Sequence, residues 1–176
     1  MSLDELEIGM LKLQNGDIGG LQSVYEQTKR SVFFTAFSVL RNKHAAEDVM
    51  QETYIRVKNN CLSYKAGTNA GAWIAVIAKN LALKAYNAQK QLRPLDEAAE
   101  YILDDLTETA IGDREVLRSA LKLLDLKERQ IVVLYAVSGF RHREIAGIME
   151  LPLGTELWLY NKALKVLRTA LSEDRT

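Results

Sequence analysis

The sequence has only two prolines, one cysteine and two histidines. With so little proline, helices can run long without an imposed break. Cys61 has no partner for an internal disulfide, which fits a reducing cytoplasm. His44 and His142 stand apart from any cysteine cluster, so no zinc-binding spacing exists. No apolar run approaches the roughly 20 residues that span a bilayer, and the acidic start MSLDELEIGM is unlike a basic export signal. There is no glycine-rich phosphate loop, and neither histidine lies near a cysteine or serine nucleophile motif, which argues against catalysis. A soluble, cytoplasmic protein is expected, without a cofactor, a metal or direct membrane insertion.

What is present favours helix. Of the 176 residues, 48% are hydrophobic and ten are glycine, and long runs of β-branched alternation are missing. The chain reads as all-α, and its length suits two small helical domains.

The formal net charge of zero conceals a segregation. Residues 21–93 carry a net +7 and residues 119–176 a net +2, whereas residues 94–118 carry −6 and residues 1–20 carry −3. Two basic blocks joined by an acidic tether are expected, the first block having the stronger pull on polyanions. Clustered acids in the tether, such as Asp104 and Asp105, have no nearby histidine or calcium-loop pattern to make them a metal site.

Helical spacing appears along residues 18–42, where Leu21, Val24, Tyr25, Val32, Phe33 and Ala36 fall on one side. The next helix begins near His44. Its stripe is Ala46, Val49, Met50, Thr53, Tyr54 and Val57, which turns Asp48, Gln51, Glu52, Ile55 and Arg56 to the opposite face. Ile55 is thus an apolar residue among charges, either a stray exposed side chain or the centre of a protein contact.

A third long helix is expected over residues 72–90, with Ile74, Ile77, Ala78, Leu81, Ala85 and Ala88 inward and Trp73 in the core. Its other side gathers Lys79, Asn80, Leu83, Lys84, Tyr86, Asn87 and Lys90. That side is either a solvated face or a track for a nucleic-acid strand, since ammonium groups meet phosphates while amides and rings meet bases.

After Pro94 the tether has room for one short helical turn, and helices are expected at 115–124, 127–138, 141–149 and 154–172. The segment SGFRHREIAGIMELPLGTE reads as helix, short turn, helix, with Ala146 small enough for a close crossing and Ile145, Ile148 and Leu151 inward. This is the helix-turn-helix pattern.

Taken together, three segments resemble an RNA polymerase sigma factor of the extracytoplasmic-function (ECF) type. AAEDVMQETYIRV is similar to that family's core-binding helix, AWIAVIAKNLALKAY to its promoter-melting and minus-ten-reading helix, and LKERQIVVLYAVSGFRHREIAGIMELPLGT to its helix-turn-helix domain. The resemblance implies sigma region 2 at 1–93, an acidic linker at 94–112 and sigma region 4 at 113–176. It implies a transcription initiation factor whose partners are core RNA polymerase, through the beta-prime clamp helices and the beta flap, promoter DNA, and an anti-sigma factor. Asp48, Gln51, Glu52, Ile55 and Arg56 would dock on the polymerase. Lys79, Asn80, Leu83, Lys84, Tyr86, Asn87 and Lys90 would hold the single-stranded minus-ten element. Arg141 and Arg143, with Thr155, Trp158, Asn161, Lys162 and Lys165, would meet the minus-thirty-five duplex.

The last helix departs from the family pattern. Gly154 and Thr155 match, but Glu156 stands where a valine is usual and Leu159 where an arginine is common. The wheel puts Tyr160, Ala163, Leu164, Leu167 and Leu171 on a buried stripe, with Glu156 at its amino-terminal end. Trp158, Asn161, Lys162, Lys165 and Thr169 face outward, flanked by Leu157, Leu159 and Val166. A carboxylate at that helix start repels phosphate, so weak minus-thirty-five binding is expected. The alternative is a sigma-like interaction or regulatory module with impaired minus-thirty-five reading, since exposed apolar clusters usually mark a partner.

Overall fold

The computed structural model describes residues 4–92 and 121–173, and among them every regular element is helical. The acidic tether with Asp104 and Asp105, most of the helix expected at 115–124, and the side chain of Leu171 lie outside the described residues. The elements are α1 (Glu5–Gln14), α2 (Gly19–Leu40), α3 (Lys43–Asn60), a 3-10 turn (Cys61–Ser63), α4 (Ala70–Leu92), α5 (Leu126–Ala136), α6 (His142–Met149) and α7 (Leu153–Glu173).

Side chains start these helices by satisfying otherwise unpaired amides. The Asn42 side chain accepts from the Ala45 amide at 2.9 Å to open α3. Asn69 does the same for the Ala72 amide in α4. Asp125 and Glu128 form a reciprocal capping box on α5. Arg41 ends α2 at φ 52° and Glu150 ends α6 at φ 56°, both left-handed.

Helices α1 to α4 form one bundle around Met10, Val24, Val32, Tyr54, Val57 and Ile74. Helix α1 is not foreseen by the sequence reading, although Leu6, Met10 and Leu13 repeat at helical spacing and pack into this core. It crosses α2 backbone to backbone: a Cβ on Gly20 would lie 2.4 Å from the Gly9 carbonyl oxygen, so nothing larger fits. The expected inner stripe of α3 is buried or half-buried throughout. Helices α5 to α7 enclose Ile131, Leu134, Ile145, Ile148 and Leu159, with Ala163 and Leu167 in an adjoining cluster.

The expected single inner face of α4 is half of what the fold uses. Ile74, Ala78 and Ala82 pack into their own bundle, but Ala75 is 2% exposed and belongs to the cluster of Ile131, Leu134 and Phe140, with Ala72 and Val76 against it. Helix α4 is therefore a shared wall between the two helical units. Ala88, expected inward, is exposed, because residues 87–90 project beyond the packed body.

Candidate polymerase and promoter interfaces

Helix α3 presents the first surface. Burial of Val49, Thr53 and Val57 fixes the rotation of the helix, leaving Asp48, Gln51, Ile55 and Arg56 exposed and Glu52 partly so. Ile55 keeps 53% of its surface in water. Glu52 and Arg56 are one helical turn apart and pair at 3.0 Å beside it. An apolar centre with a charged rim has the form of a protein-contact site.

Helix α4 presents the second. Asn80, Lys84, Asn87 and Lys90 are exposed on one line of the helix. Beside them, Arg56, Asn60, Ser63, Trp73, Ile77, Asn80, Leu81 and Lys84 line an open cavity of about 390 Å³. Trp73 is half-buried against the core through its contact with Tyr64, yet also borders this cavity. Sequence reasoning missed that wall, since Arg56, Asn60 and Ser63 come from α3 and the turn after it; the only local signal was a tryptophan near a helix start.

The remaining residues of the α4 set are not free. Lys79 is 5% exposed; its ammonium donates to the Ile148 carbonyl at 2.7 Å and to Glu150 at 3.1 Å, both at the end of α6. Carbonyls at a helix carboxy terminus carry partial negative charge, so Lys79 has found an anionic partner inside the protein. Leu83 and Tyr86 are half-buried in a cluster joined by Leu126 of α5. Nearby, Arg129 is 8% exposed and donates to the carbonyls of Ser38 at 2.6 Å and Leu124 at 3.2 Å. Burial, reinforced by the neighbouring Arg41, pushes the Arg129 guanidinium down to about 10, still charged at neutral pH.

The third surface is the helix-turn-helix of α6 and α7. Trp158, Asn161, Lys162, Lys165 and Thr155 are exposed on α7, as are Arg141 and Arg143 at the start of α6. The set is divided. Arg141 borders an open cleft of about 720 Å³ between the two units, lined also by Gln27, Ser31, Asn69, Ser138 and Glu144. Lys162 is held by Glu128 at 2.5 Å with Asp125 at 3.7 Å, which leaves Lys165 as the less engaged of the two lysines on α7.

Leu159, expected at the outer edge, is buried at 7% among Ile131, Leu134 and Ile145. The placement follows from α7 being packed on two sides, by α5 and α6. Glu156 is fully buried as its wheel position implied, and accepts from His142 Nδ1 at 3.0 Å. The greasy outer surface therefore reduces to Leu153, Leu157 and Trp158, of which Trp158 is 62% exposed.

The chain has counterparts among known proteins. The Sigma-70 region 2 family pattern matches residues 24–91 and the Sigma-70 region 4 pattern matches residues 114–155. The chain is 31% identical over 143 residues to the ECF RNA polymerase sigma factor EcfG of Rhodopseudomonas palustris, covering 79% of this chain and 78% of that protein. It belongs to the ECF sigma factor family. The sigma factor is also 25% identical to SigW of Bacillus subtilis, covering 92% of this chain and 94% of that protein.

Two solved structures share the fold of this sigma factor at a TM-score of 0.74. One is CnrH in complex with the cytosolic domain of CnrY, at 18% identity with 97% of this chain and 99% of that chain covered. The other is the sigma factor RpoE in complex with the anti-sigma factor NepR from Bartonella quintana, at 19% identity with 86% and 95% covered. As a sigma factor the protein is a transcription initiation factor that binds core RNA polymerase and promoter DNA, and is not an enzyme. Among the described residues, no helix is long and apolar enough to cross a membrane, and no cluster of three or more potential metal ligands occurs.

Proposed function

We propose that this sigma factor docks on the beta-prime clamp helices through Asp48, Gln51, Glu52, Ile55 and Arg56 of α3, in the cytoplasm where core polymerase works. The observation that carries this is Ile55, half in water at the centre of a charged face with no packing role of its own. The minus-ten strand lies along α4. Asn80, Lys84, Asn87 and Lys90 are available to it as the molecule stands, and Lys79, Leu83 and Tyr86 become so once the second unit moves away. An unstacked base fits the chemistry of the Trp73 cavity: a ring beside it, an amide at Asn80, and cations at Arg56 and Lys84 for the flanking phosphates.

The domains are region 2 over 1–93, a linker over 94–112 and region 4 over 113–176. In region 4, Arg143, Thr155, Asn161 and Lys165 meet the minus-thirty-five duplex, with Arg141 joining when the cleft opens. Lys162 contributes little while Glu128 holds it. Leu153, Leu157 and Trp158 suit a protein partner, the beta flap or an anti-sigma factor, the latter being the partner with which RpoE of Bartonella quintana was solved. A second reading, a sigma-like regulatory module with impaired minus-thirty-five contact, is favoured by the engaged Lys162 alone.

Reconstituted run-off transcription with core polymerase and the gene's own upstream region tests the first reading. Wild type should initiate and an Ile55→Glu variant should not. A wild type that binds core yet stays silent would favour the second.

A further inference from the structure

Resting on the reading of the Trp73 cavity as the seat of an unstacked minus-ten base, we propose that α1 is a brace for that seat. Glu7 and Gln14 are positioning residues. They fix the segment 61–69 between α3 and α4, and with it the choice of base that the cavity accepts.

Glu7 and Gln14 stand two helical turns apart and so share one face of α1. Gln14 donates from Nε2 to the carbonyls of Cys61 at 2.9 Å and Tyr64 at 2.8 Å. Glu7 accepts from the Tyr64 hydroxyl at 2.5 Å through Oε2 and from the Gly67 amide at 2.8 Å through Oε1. All of these bonds land on one short stretch whose only regular element is the 3-10 turn Cys61–Ser63. The carboxylate is 8% exposed, on a helix whose other core-facing side chains, Leu6, Met10 and Leu13, are apolar. An apolar residue would serve the bundle as well, because a buried charge recovers little of the hydration it loses. What the carboxylate adds is a fixed pair of acceptors for an irregular segment.

That segment supports the cavity. Asn60 and Ser63 line it, and the Tyr64 ring meets the Trp73 ring at 5.6 Å. Gly67, at φ 80°, is held at its amide by Glu7, and Asn69 opens α4. The brace has a rigid footing, since the close backbone crossing at Gly9 and Gly20 leaves α1 little freedom to shift against α2.

A base read by hydrogen bonds is chosen by where donors and acceptors stand, so a small displacement blunts the choice. Attraction between phosphates and the cations Arg56 and Lys84 falls off slowly with distance and tolerates the same displacement. Loosening the brace therefore lowers discrimination rather than affinity for the strand as a whole.

The test uses holoenzyme assembled from the full chain and core polymerase. Its probes are fluorescein-labelled non-template strands spanning the minus-ten region of the gene's own promoter, each position replaced in turn by the other three bases. Wild type should prefer one base by about tenfold at the position the cavity reads, the worth of one well-placed hydrogen bond. Asn80→Ala, at the exposed edge of the cavity, should remove that preference and so identify the position. Glu7→Leu and Gln14→Leu should each reduce the same preference to about twofold, with binding of the disfavoured strands within about twofold of wild type. Gln14 is only half-buried, so its variant reports on the brace even where Glu7→Leu disturbs folding. Glu7→Gln should restore most of the preference, because its amide oxygen still accepts from Gly67 while the Tyr64 hydroxyl turns to the Thr68 carbonyl, 2.8 Å away.

The brace is overturned if both leucine variants keep the wild-type preference, or if they weaken every strand by one common factor, as plain destabilisation of the fold would. An Asn80→Ala variant with unchanged preferences is a separate result: the cavity then reads no base, and the brace falls with that reading.

Discussion

His142 and Glu156 meet across the helix-turn-helix at 3.0 Å, Nδ1 to Oε1, with the carboxylate wholly buried and its second oxygen without a partner. Tyr135 stacks on the imidazole at 4.9 Å and Tyr160 meets it edge-on at 4.7 Å. A buried charge with one partner makes the two residues unequal under mutation. His142→Ala leaves the carboxylate stranded and should cost about 3 kcal/mol in urea unfolding, whereas Glu156→Val removes the charge itself and should change stability by about 1 kcal/mol at most. Equal losses in the two variants would show that the pair itself is a net source of stability.

Docking through Ile55 has its own magnitude. Burying a whole isoleucine contributes about 1.5–3 kcal/mol, and about half of this one is still in water to be buried. Ile55→Ala should therefore weaken core binding by up to about tenfold while shifting the unfolding midpoint little, because surface changes stay within about 0.5 kcal/mol. A core affinity equal to wild type would return Ile55 to the status of a stray exposed side chain.

Salt dependence separates the two lysines of α7. Each phosphate neutralised contributes about 0.9 to the slope of log affinity against log salt. Lys165→Ala in the holoenzyme should lower that slope by about one unit on promoter duplex, while Lys162→Ala should leave it nearly unchanged, since Glu128 and Asp125 already hold that ammonium. A full one-unit loss in the Lys162 variant would mean that the lysine leaves Glu128 for DNA.

Alkaline stability should follow two tyrosines. Burial, with the hydrogen bond to Glu7, pushes Tyr64 up to about 12, and burial pushes Tyr54 further from its ordinary 10.0. Below pH 10 both phenols are neutral in the folded and unfolded chain alike. Between pH 10 and about 12 the unfolded chain releases protons that the folded chain retains, so stability falls as pH rises through that window. Ultraviolet titration of tyrosinate should show Tyr54 and Tyr64 ionising late, together with unfolding, with Tyr160 also raised by burial. Normal titration of all seven in the folded chain would contradict the burial of Tyr54 and Tyr64.

Local periodicity made some of this visible in the sequence and left the rest hidden. The stripe through Ala46, Val49, Thr53 and Val57 was legible because α3 buries one face only. The helix-turn-helix was legible because Ile145, Ile148 and a short turn repeat a common local pattern. Lys79 was misplaced as an open cation because what covers it, Ile148 and Glu150, lies about seventy residues away in sequence. Leu159 was misread for the same reason and Ala75 went unassigned: each sits on a helix packed from two directions, where a single hydrophobic stripe stops being a guide. The signal for α4 was present all the same, in an apolar content that ran nearly all the way round from Ala72 to Ala78.

That wall of small residues sets unequal tolerances along the chain. On α3, drift at Asp48 or Gln51 meets only water or polymerase. At Ala75 the side chain has little room to grow, because it is 2% exposed and packed against Ile131, Leu134 and Phe140 of the second helical unit. Valine or leucine there would act as a wedge, leaving both helical units folded while holding them apart.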